Sequence, residues 1–179
     1  TLLAKRGSLL YADSITHIGF TSFSGYALTT SGKLHVWGNG TTSNIINGTA
    51  IAQPEPIELT AQSLIGTSTN IANPLFGKTI VKVVPSTINI FALTSDGQLY
   101  AWGTNSSGLF GMNNTTSYVI PTLVPQTNFA GKTIIDMYTL GTNLMVLTSD
   151  GNVYAAGGSY TNTLASTNTG SIKYTRVAK

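Results

Sequence analysis

Apolar and polar residues alternate in three short stretches of the chain that closely resemble one another. They are ALTTSGKLHVWG at 27–38, ALTSDGQLYAWG at 92–103 and VLTSDGNVYAAG at 146–157. In each stretch a β-rich run leads into a Ser-Gly or Asp-Gly pair, and a second β-rich run follows. The pattern predicts three β-hairpins, with type I′ turns at Asp96-Gly97 and Asp150-Gly151.

The three hairpins recur at a spacing typical of repeat proteins. Their turn glycines, Gly32, Gly97 and Gly151, lie 65 and 54 residues apart. A β-branched run precedes each hairpin, and these runs are read as further strands: DSITHIGF at 13–20, GKTIVKVV at 77–84 and GKTIIDMY at 131–138. Periods of this length indicate a solenoid or a propeller.

A fourth strand per unit is indicated by proline segments after the hairpins. Pro56 follows Trp37 by 19 residues, and Pro121 follows Trp102 by the same interval. About four strands per unit with no convincing amphipathic helix predict an all-β fold, a β-propeller with about three four-stranded blades. The whole chain, 1–179, is then one partial propeller. Its approximate repeats are 1–38, 39–103 and 104–157, with 158–179 as the start of a further blade.

The middle repeat carries a family resemblance. WGTNSSGLFG at 102–111, then a proline segment, then GKTI and a further hairpin, resembles the repeats of the regulator of chromosome condensation family. The resemblance implies a seven-bladed propeller. Seven blades would need roughly 350 residues or more, so the chain is interpreted as an arc of a larger ring. The structural positions expected in the blades are Gly32, Trp37, Gly97, Trp102 and Gly151.

The repeats also depart from the family pattern. Ala156 stands where the other repeats have Trp, and the GLFG-like turn is found only at 108–111. The family often has His just before the second strand, whereas this chain has Ser24, Asn89 and Asn143 there. The repeats are therefore interpreted as divergent.

Composition narrows the possible classes of protein. Only 8% of residues are charged, 41% are hydrophobic, and there is no cysteine. The nine basic residues are scattered, so no nucleic-acid partner is predicted despite a net charge of +3. No apolar run is long enough to span a bilayer, which predicts no transmembrane segment.

Reactive side chains are sparse. His17 lies in a predicted strand, and His35 stands where the other repeats have Tyr100 and Tyr154. The two Gly-Lys-Thr sequences precede strands rather than helices, so a phosphate-binding loop is not supported. The sequence therefore predicts no catalytic residue, metal site or cofactor, and a protein that is not an enzyme.

Five asparagines begin Asn-x-Ser/Thr sequons and are candidate N-glycosylation sites: Asn39, Asn47, Asn105, Asn113 and Asn114. All follow a hairpin, where a secreted protein could carry glycans. The alternative is that an Asn- and Thr-rich composition produces sequons by chance. Low charge, absent cysteine and these sequons weakly favour an extracellular or cell-surface location.

Three functions remain open at this stage. The first is a non-catalytic protein-interaction or assembly module, a scaffold that binds a protein partner through its loops or open blade edges. Further blades of the same longer chain, or of other copies, are possible partners. The second, implied by the family resemblance, is a guanine-nucleotide exchange factor for a small GTPase. The third is a glycan-binding propeller.

Overall fold

Three four-stranded antiparallel sheets make up most of the described structure, a computed structural model covering residues 13–39, 52–61, 64–65, 71–158 and 171–178. Sheet 1 contains β1 (Ile15–Phe20), β2 (Ser24–Thr29), β3 (Leu34–Gly38) and β4 (Gln53–Glu58). Sheet 2 contains β7 (Ile80–Pro85), β8 (Asn89–Thr94), β9 (Leu99–Gly103) and β10 (Tyr118–Leu123). Sheet 3 contains β11 (Ile134–Leu140), β12 (Asn143–Thr148), β13 (Val153–Gly157) and β14 (Ser171–Ala178).

Short elements connect the sheets. A 3₁₀ turn at Leu59–Ala61 and a two-stranded ribbon of β5 (Leu64–Ile65) and β6 (Ile71–Ala72) lie between sheets 1 and 2. A 3₁₀ turn at Gln126–Phe129 lies between sheets 2 and 3. No helix in the described residues is long and apolar enough to cross a membrane.

The sheets group the strands differently from the predicted repeats. Neighbouring strands within each sheet are consecutive in the chain, so each sheet is a meander. Thr175 and Arg176 of β14 pair with Ala155 and Tyr154 of β13. Residues 171–178 therefore complete sheet 3, whereas the sequence pattern assigns 158–179 to a further blade. The fourth strand of each sheet pairs with the second strand of the preceding hairpin, so it belongs to the same sheet as that hairpin.

The hairpin turns are not of type I′, so that prediction is wrong. The Gly97 amide donates to the Thr94 carbonyl oxygen at 2.9 Å, and the Thr94 amide donates to the Gln98 carbonyl oxygen at 3.0 Å. Gly97 has a φ of 76°, but Asp96 does not have a positive φ. This is a type I turn followed by a left-handed glycine, a G1 bulge. The Thr94 hydroxyl donates to the Asp96 carboxylate, which holds the aspartate in this conformation.

Two apolar cores lie between the sheets, and β8 contributes to both. Ile90 and Ala92 pack in the core between sheets 1 and 2. Phe91 and Leu93 pack in the core between sheets 2 and 3. Because successive side chains of a strand point to opposite faces, sheet 2 is covered on both faces.

The Gly-Lys-Thr segment forms the joint between sheets 1 and 2. The Ile80 amide donates to the Gly32 carbonyl oxygen at 2.9 Å, linking sheet 2 to the turn of sheet 1. The Thr79 carbonyl oxygen accepts from the Ser95 amide at 2.9 Å. A Cβ at Gly32 would collide with the Thr79 side chain, so only glycine fits there. The equivalent glycine of sheet 2, Gly97, faces Thr133 in the same way.

Candidate protein-interaction surface

The first strands of the three sheets, β1, β7 and β11, lie side by side, with β7 in contact with both of the others. We call them the inner strands. Each inner strand has an irregular register at an equivalent position, between Ile15 and His17, between Ile80 and Lys82, and between Ile134 and Asp136. The extra residue of each bulge is exposed: Thr16, Val81 and Ile135. The bulges therefore turn one side chain per sheet away from the cores.

A polar position follows each bulge. It holds His17, Lys82 and Asp136, and the Lys82 ammonium forms an ion pair with the Asp136 carboxylate of the next sheet. The hydrogen bond to Lys82 holds the pKa of Asp136 below its usual value. This pair bridges two inner strands at an exposed position, where ion pairs stabilise proteins little.

The turns that join the first and second strands of each sheet form a continuous edge, which we call the rim (21–23, 86–88 and 141–142). The Ser22 amide donates to the Thr87 carbonyl oxygen at 2.7 Å. The Ser86 hydroxyl donates to the Gly141 carbonyl oxygen at 2.8 Å. These bonds cross from sheet 1 to sheet 2 and from sheet 2 to sheet 3, so the three turns are held as one surface.

A wide, shallow cleft of about 440 Å³ runs along the rim. Its lining includes Pro85 and the rim hydroxyls, together with the apolar side chains of Phe20 and Leu140. These two side chains are 68% and 57% exposed. No charged residue is among the described residues that line this cleft, so its mixed polar and apolar lining suits an uncharged contact.

A smaller cleft of about 230 Å³ lies where the rim of sheets 2 and 3 meets the β9–β10 loop. It is more enclosed than the first cleft. Its polar lining includes Thr87, Asn89, Ser106, Ser107 and Thr142, and none of its lining residues is charged.

The β9–β10 loop that borders this cleft is fixed by Asn105. The Asn105 side-chain oxygen accepts from the Phe110 amide at 2.9 Å, and its side-chain nitrogen donates to the Asn114 carbonyl oxygen at 3.0 Å. Phe110 is thereby placed in the core, with its ring edge-on to Phe91 at 5.6 Å between centroids. The loop also contacts sheet 3, since Met112 bridges to Lys173.

The candidate glycosylation sites lie in different environments. Asn105 is buried with its amide engaged, so a glycan there would require the loop to open. Asn114 is half-buried and bonds to Met112 and Tyr118. Asn39 and Asn113 are exposed, and Asn113 has a φ of 61°. Asn47 lies outside the described residues.

The structural positions predicted from the repeats occupy the hairpins. Gly32, Gly97 and Gly151 are the left-handed turn residues. Trp102 is fully buried between sheets 1 and 2, whereas the equivalent Trp37 is half-buried. Sequence reasoning did not find the rim, because Ser86, Thr87 and Gly141 match no motif and differ from one sheet to the next.

The two histidines lie apart from the rim clefts. His17 is exposed on an inner strand, with Nδ1 3.1 Å from the Thr16 hydroxyl. His35 is fully buried, neither ring nitrogen has a hydrogen-bond partner, and burial lowers its pKa. Within the described ranges no three His, Asp or Glu side chains cluster as metal ligands would.

Comparison with known proteins supports the repeat assignment. Residues 96–143 match the model of the regulator of chromosome condensation (RCC1) repeat. The chain is 34% identical over 98 residues to the human E3 ubiquitin-protein ligase HERC2. The matched segment covers 55% of this chain and 2% of HERC2. The chain thus spans only a small part of this relative.

Solved structures show the same fold. Human WBSCR16 matches with a TM-score of 0.68 at 17% identity, over 90% of this chain and 37% of that one. Yeast RCC1 (Prp20) bound to Kap60 matches with a TM-score of 0.66 at 16% identity, over 92% of this chain and 35% of that one. A second Prp20p structure, from Saccharomyces cerevisiae, gives a TM-score of 0.64 at 15% identity, over 92% of this chain and 38% of that one.

The chain spans little more than a third of each of these propellers. The three sheets are therefore blades in a partial arc of a β-propeller, as the sequence predicted. Residues 96–143 match the RCC1 repeat, and the three sheets share the propeller fold of the solved RCC1 structures, so the chain resembles the RCC1-like repeat family.

Proposed function

We propose that the chain is a non-catalytic protein-interaction module whose contact surface is the rim together with the inner strands. The observation that carries this proposal is the position of its exposed apolar side chains. Nine large apolar side chains of the described residues are exposed, and six of them lie on inner strands: Ile18, Phe20, Val81, Ile135, Tyr138 and Leu140. Clustered exposed apolar groups are typical of interaction sites, whereas scattered ones need no explanation.

Relatives in the family offer a parallel for this use. The yeast RCC1 (Prp20) structure contains bound Kap60, and the second Prp20p structure is described with binding to Gsp1p and histones. Those are properties of Prp20. They support a protein partner for this chain without identifying it.

The experiment compares partners captured by matched variants. Phe20→Ser combined with Leu140→Ser removes two exposed apolar side chains from the lining of the larger cleft. Phe76→Ser is the control, because Phe76 is 56% exposed but lies outside the inner strands. We expect quantitative mass spectrometry to find partners that the wild type and the Phe76 variant retain and the double variant loses. Equal capture by all three folded proteins would contradict the proposal.

The second candidate is a guanine-nucleotide exchange factor for a small GTPase, which the family resemblance favours. Purified small GTPases loaded with fluorescent GDP provide the test. Release accelerated by catalytic amounts of the chain would support exchange activity. The absence of charged residues from the described linings of both clefts favours the interaction module.

The extracellular location is also a proposal, and it rests on composition and sequons alone. Asn39 and Asn113 are the exposed candidates for a glycan among the described residues. Intact mass spectrometry of the protein from its native source would show added hexose and N-acetylhexosamine mass. Loss of that mass in Asn39→Gln or Asn113→Gln would assign the site, and an unmodified mass would count against this location.

A further inference from the structure

Sheet 1 has an apolar face that points away from sheet 2, and part of this face is far more exposed than its counterparts. Ile18 of β1 is 59% exposed, whereas the equivalent residues Val83 and Met137 are 7% and 2% exposed. Val83 packs in the core between sheets 1 and 2, and Met137 packs in the core between sheets 2 and 3. Ile18 therefore points to the place that a sheet before sheet 1 would occupy.

Two further positions of sheet 1 follow the same rule. Ile15 is half-buried, whereas the equivalent Ile80 and Ile134 are each 2% exposed. Trp37 is half-buried, whereas the equivalent Trp102 is fully buried between sheets 1 and 2. All of these residues are apolar, as a face that packs against another sheet requires.

Only part of this face of sheet 1 is open. Ala27 and His35 belong to it by register, since Ala27 pairs with both Ile18 and His35, but they are fully buried. The open part consists of three residues, which we call the front patch: Ile15, Ile18 and Trp37.

Sheet 3 shows the reciprocal pattern on the face that points away from sheet 2. Tyr138 of β11 is 60% exposed, whereas the equivalent Val84 is 8% exposed in the core between sheets 2 and 3. Tyr138 pairs across the sheet with Met145, and Met145 and Leu147 are half-buried. We call these three residues the back patch: Tyr138, Met145 and Leu147.

The joints within the chain show what the back patch fits. In both joints the back of one sheet packs against the front of the next sheet. The turns follow the same order, because Thr133 of sheet 3 fills the space beside Gly97 of sheet 2. The space beside Gly151 of sheet 3 is empty, and Ser14, the residue of sheet 1 equivalent to Thr133, is exposed. Sheets 3 and 1 thus carry the two unused halves of a joint that the chain already forms twice.

The polar positions of the inner strands agree with this pairing. Lys82 of sheet 2 forms an ion pair with Asp136 of sheet 3. If sheet 1 of another copy followed sheet 3 in the same way, Asp136 would lie beside His17 of that copy. A carboxylate next to an imidazole brings no like charges together, so this contact does not oppose the pairing.

We propose that the back patch of sheet 3 binds the front patch of sheet 1 in a second copy of this chain, in the geometry of the two joints within the chain. Such a contact joins unlike surfaces, so copies associate head to tail and can close into a ring. Two copies would place twice the three sheets of one chain in that ring, within the range of about four to eight blades known for propellers. The inference goes beyond the proposed function, because it concerns the two sides of the arc and needs no foreign partner.

The experiment is sedimentation-velocity ultracentrifugation of the full chain and of two lysine variants. Ile18→Lys blocks the front patch, and Tyr138→Lys blocks the back patch. We expect the wild type to shift, with rising concentration, from 18.8 kDa toward twice that mass. Each variant alone should remain a monomer at the concentration where the wild type is associated. An equimolar mixture of the two variants should form a dimer, because one variant supplies an intact back patch and the other an intact front patch.

Val81→Lys is the matched control. Val81 is 48% exposed in the bulge of an inner strand and belongs to neither patch, so this variant should associate like the wild type. Ile18→Ser and Tyr138→Ser replace any lysine variant whose far-UV circular dichroism shows that it does not fold.

Three outcomes would overturn the proposal. The first is a wild type that stays monomeric up to about 1 mM. The second is association of Ile18→Lys alone, which would mean that two back patches bind each other. The third is a mixture of the two variants that is no heavier than its components. The measurement uses only the purified chain, so its failure is distinct from failure of the capture experiment.

Discussion

The second strands of sheets 2 and 3 occupy equivalent positions but have different surroundings. All six residues of β8 are buried, whereas buried and half-buried residues alternate in β12. One face of β12 packs against sheet 2 through Leu144 and Val146. The other face carries Met145 and Leu147, which are half-buried, and Phe91 and Leu93 are their buried counterparts in β8.

The face of sheet 3 that points away from sheet 2 keeps apolar residues, as a face packed against another sheet would. No described residue packs against it. Met145 and Leu147 remain apolar although half-buried, and Val153 of β13 adds to the same face. The hairpin turn of sheet 3 is likewise open on the side where the turn of sheet 2 contacts the next sheet. A Cβ at Gly97 would collide with Thr133 of the next sheet, whereas a Cβ at Gly151 would meet nothing within 4 Å.

The largest expected effect is at the tryptophan of sheet 2. Trp102→Ala would leave a cavity in the core between sheets 1 and 2, and we expect a loss of about 3–5 kcal/mol in the free energy of unfolding. Trp37→Ala, at the equivalent but half-buried position, should cost clearly less. Urea denaturation of both variants measures the difference. Equal losses would show that Trp37 is as fully packed as Trp102.

The leucine pair tests the two faces directly. Leu93→Ala removes a side chain packed between sheets 2 and 3, and we expect a loss of about 2–4 kcal/mol. Leu147→Ala changes the equivalent, half-buried residue of sheet 3 and should cost less than about 1.5 kcal/mol. The same denaturation measurement applies. A cost for Leu147→Ala that matches Leu93→Ala would mean that another part of the chain covers this face.

The turn glycines give a smaller, sharper contrast. Gly97→Ala and Gly151→Ala both impose a left-handed conformation on alanine, which costs about 1–2 kcal/mol. Gly97→Ala additionally forces the Thr133 side chain to move. We therefore expect a lower melting temperature for Gly97→Ala than for Gly151→Ala. Identical melting temperatures would contradict the tight joint between sheets 2 and 3.

The smallest effect extends the comparison to sheet 1. Burial lowers the pKa of His35 below the ordinary value of 6.5, while Glu58 and Asp13 raise it and Lys33 lowers it. Below pH 6.5 the unfolded chain binds the extra proton more readily, so stability is full above that pH and falls as the solution is acidified. His35→Tyr, which installs the residue type of sheets 2 and 3, should reduce this loss between pH 7 and 5.

Denaturation at several pH values checks this prediction. His17→Gln is the control, because His17 is exposed on an inner strand. The same pH dependence in wild type and His35→Tyr would show that His35 is not the responsible group.

Much of the fold could be predicted because repetition makes weak local signals visible. Pro56 and Pro121 follow their tryptophans at the same interval, and this spacing alone predicts the outer strands β4 and β10. The turn type was missed, because Asp-Gly is shared by I′ turns and by G1 bulges, and the hydrogen bond from Thr94 to Asp96 decides between them. The strand grouping was missed because spacing does not show to which hairpin an outer strand returns.

The candidate site was far less predictable. The bulges at Thr16, Val81 and Ile135 involve three different residues, so no pattern marks them. The burial of Asn105 depends on bonds to Phe110 and Asn114 that form only when the loop folds. The clefts arise from turns of separate sheets, and their composition of Ser, Thr and Gly resembles any surface loop.

The contacts between neighbouring sheets imply an order in which the sheets can fold, from the amino terminus onward. The Gly32 turn offers a backbone carbonyl and a space beside the glycine that receive Ile80 and Thr79 of sheet 2, and the space beside Gly97 receives Thr133 of sheet 3. A polypeptide synthesised from its amino terminus therefore completes the template for each sheet before that sheet emerges. Assembly can proceed sheet by sheet with short-range contacts, so a long ring need not wait for its two ends to meet before most of it is formed.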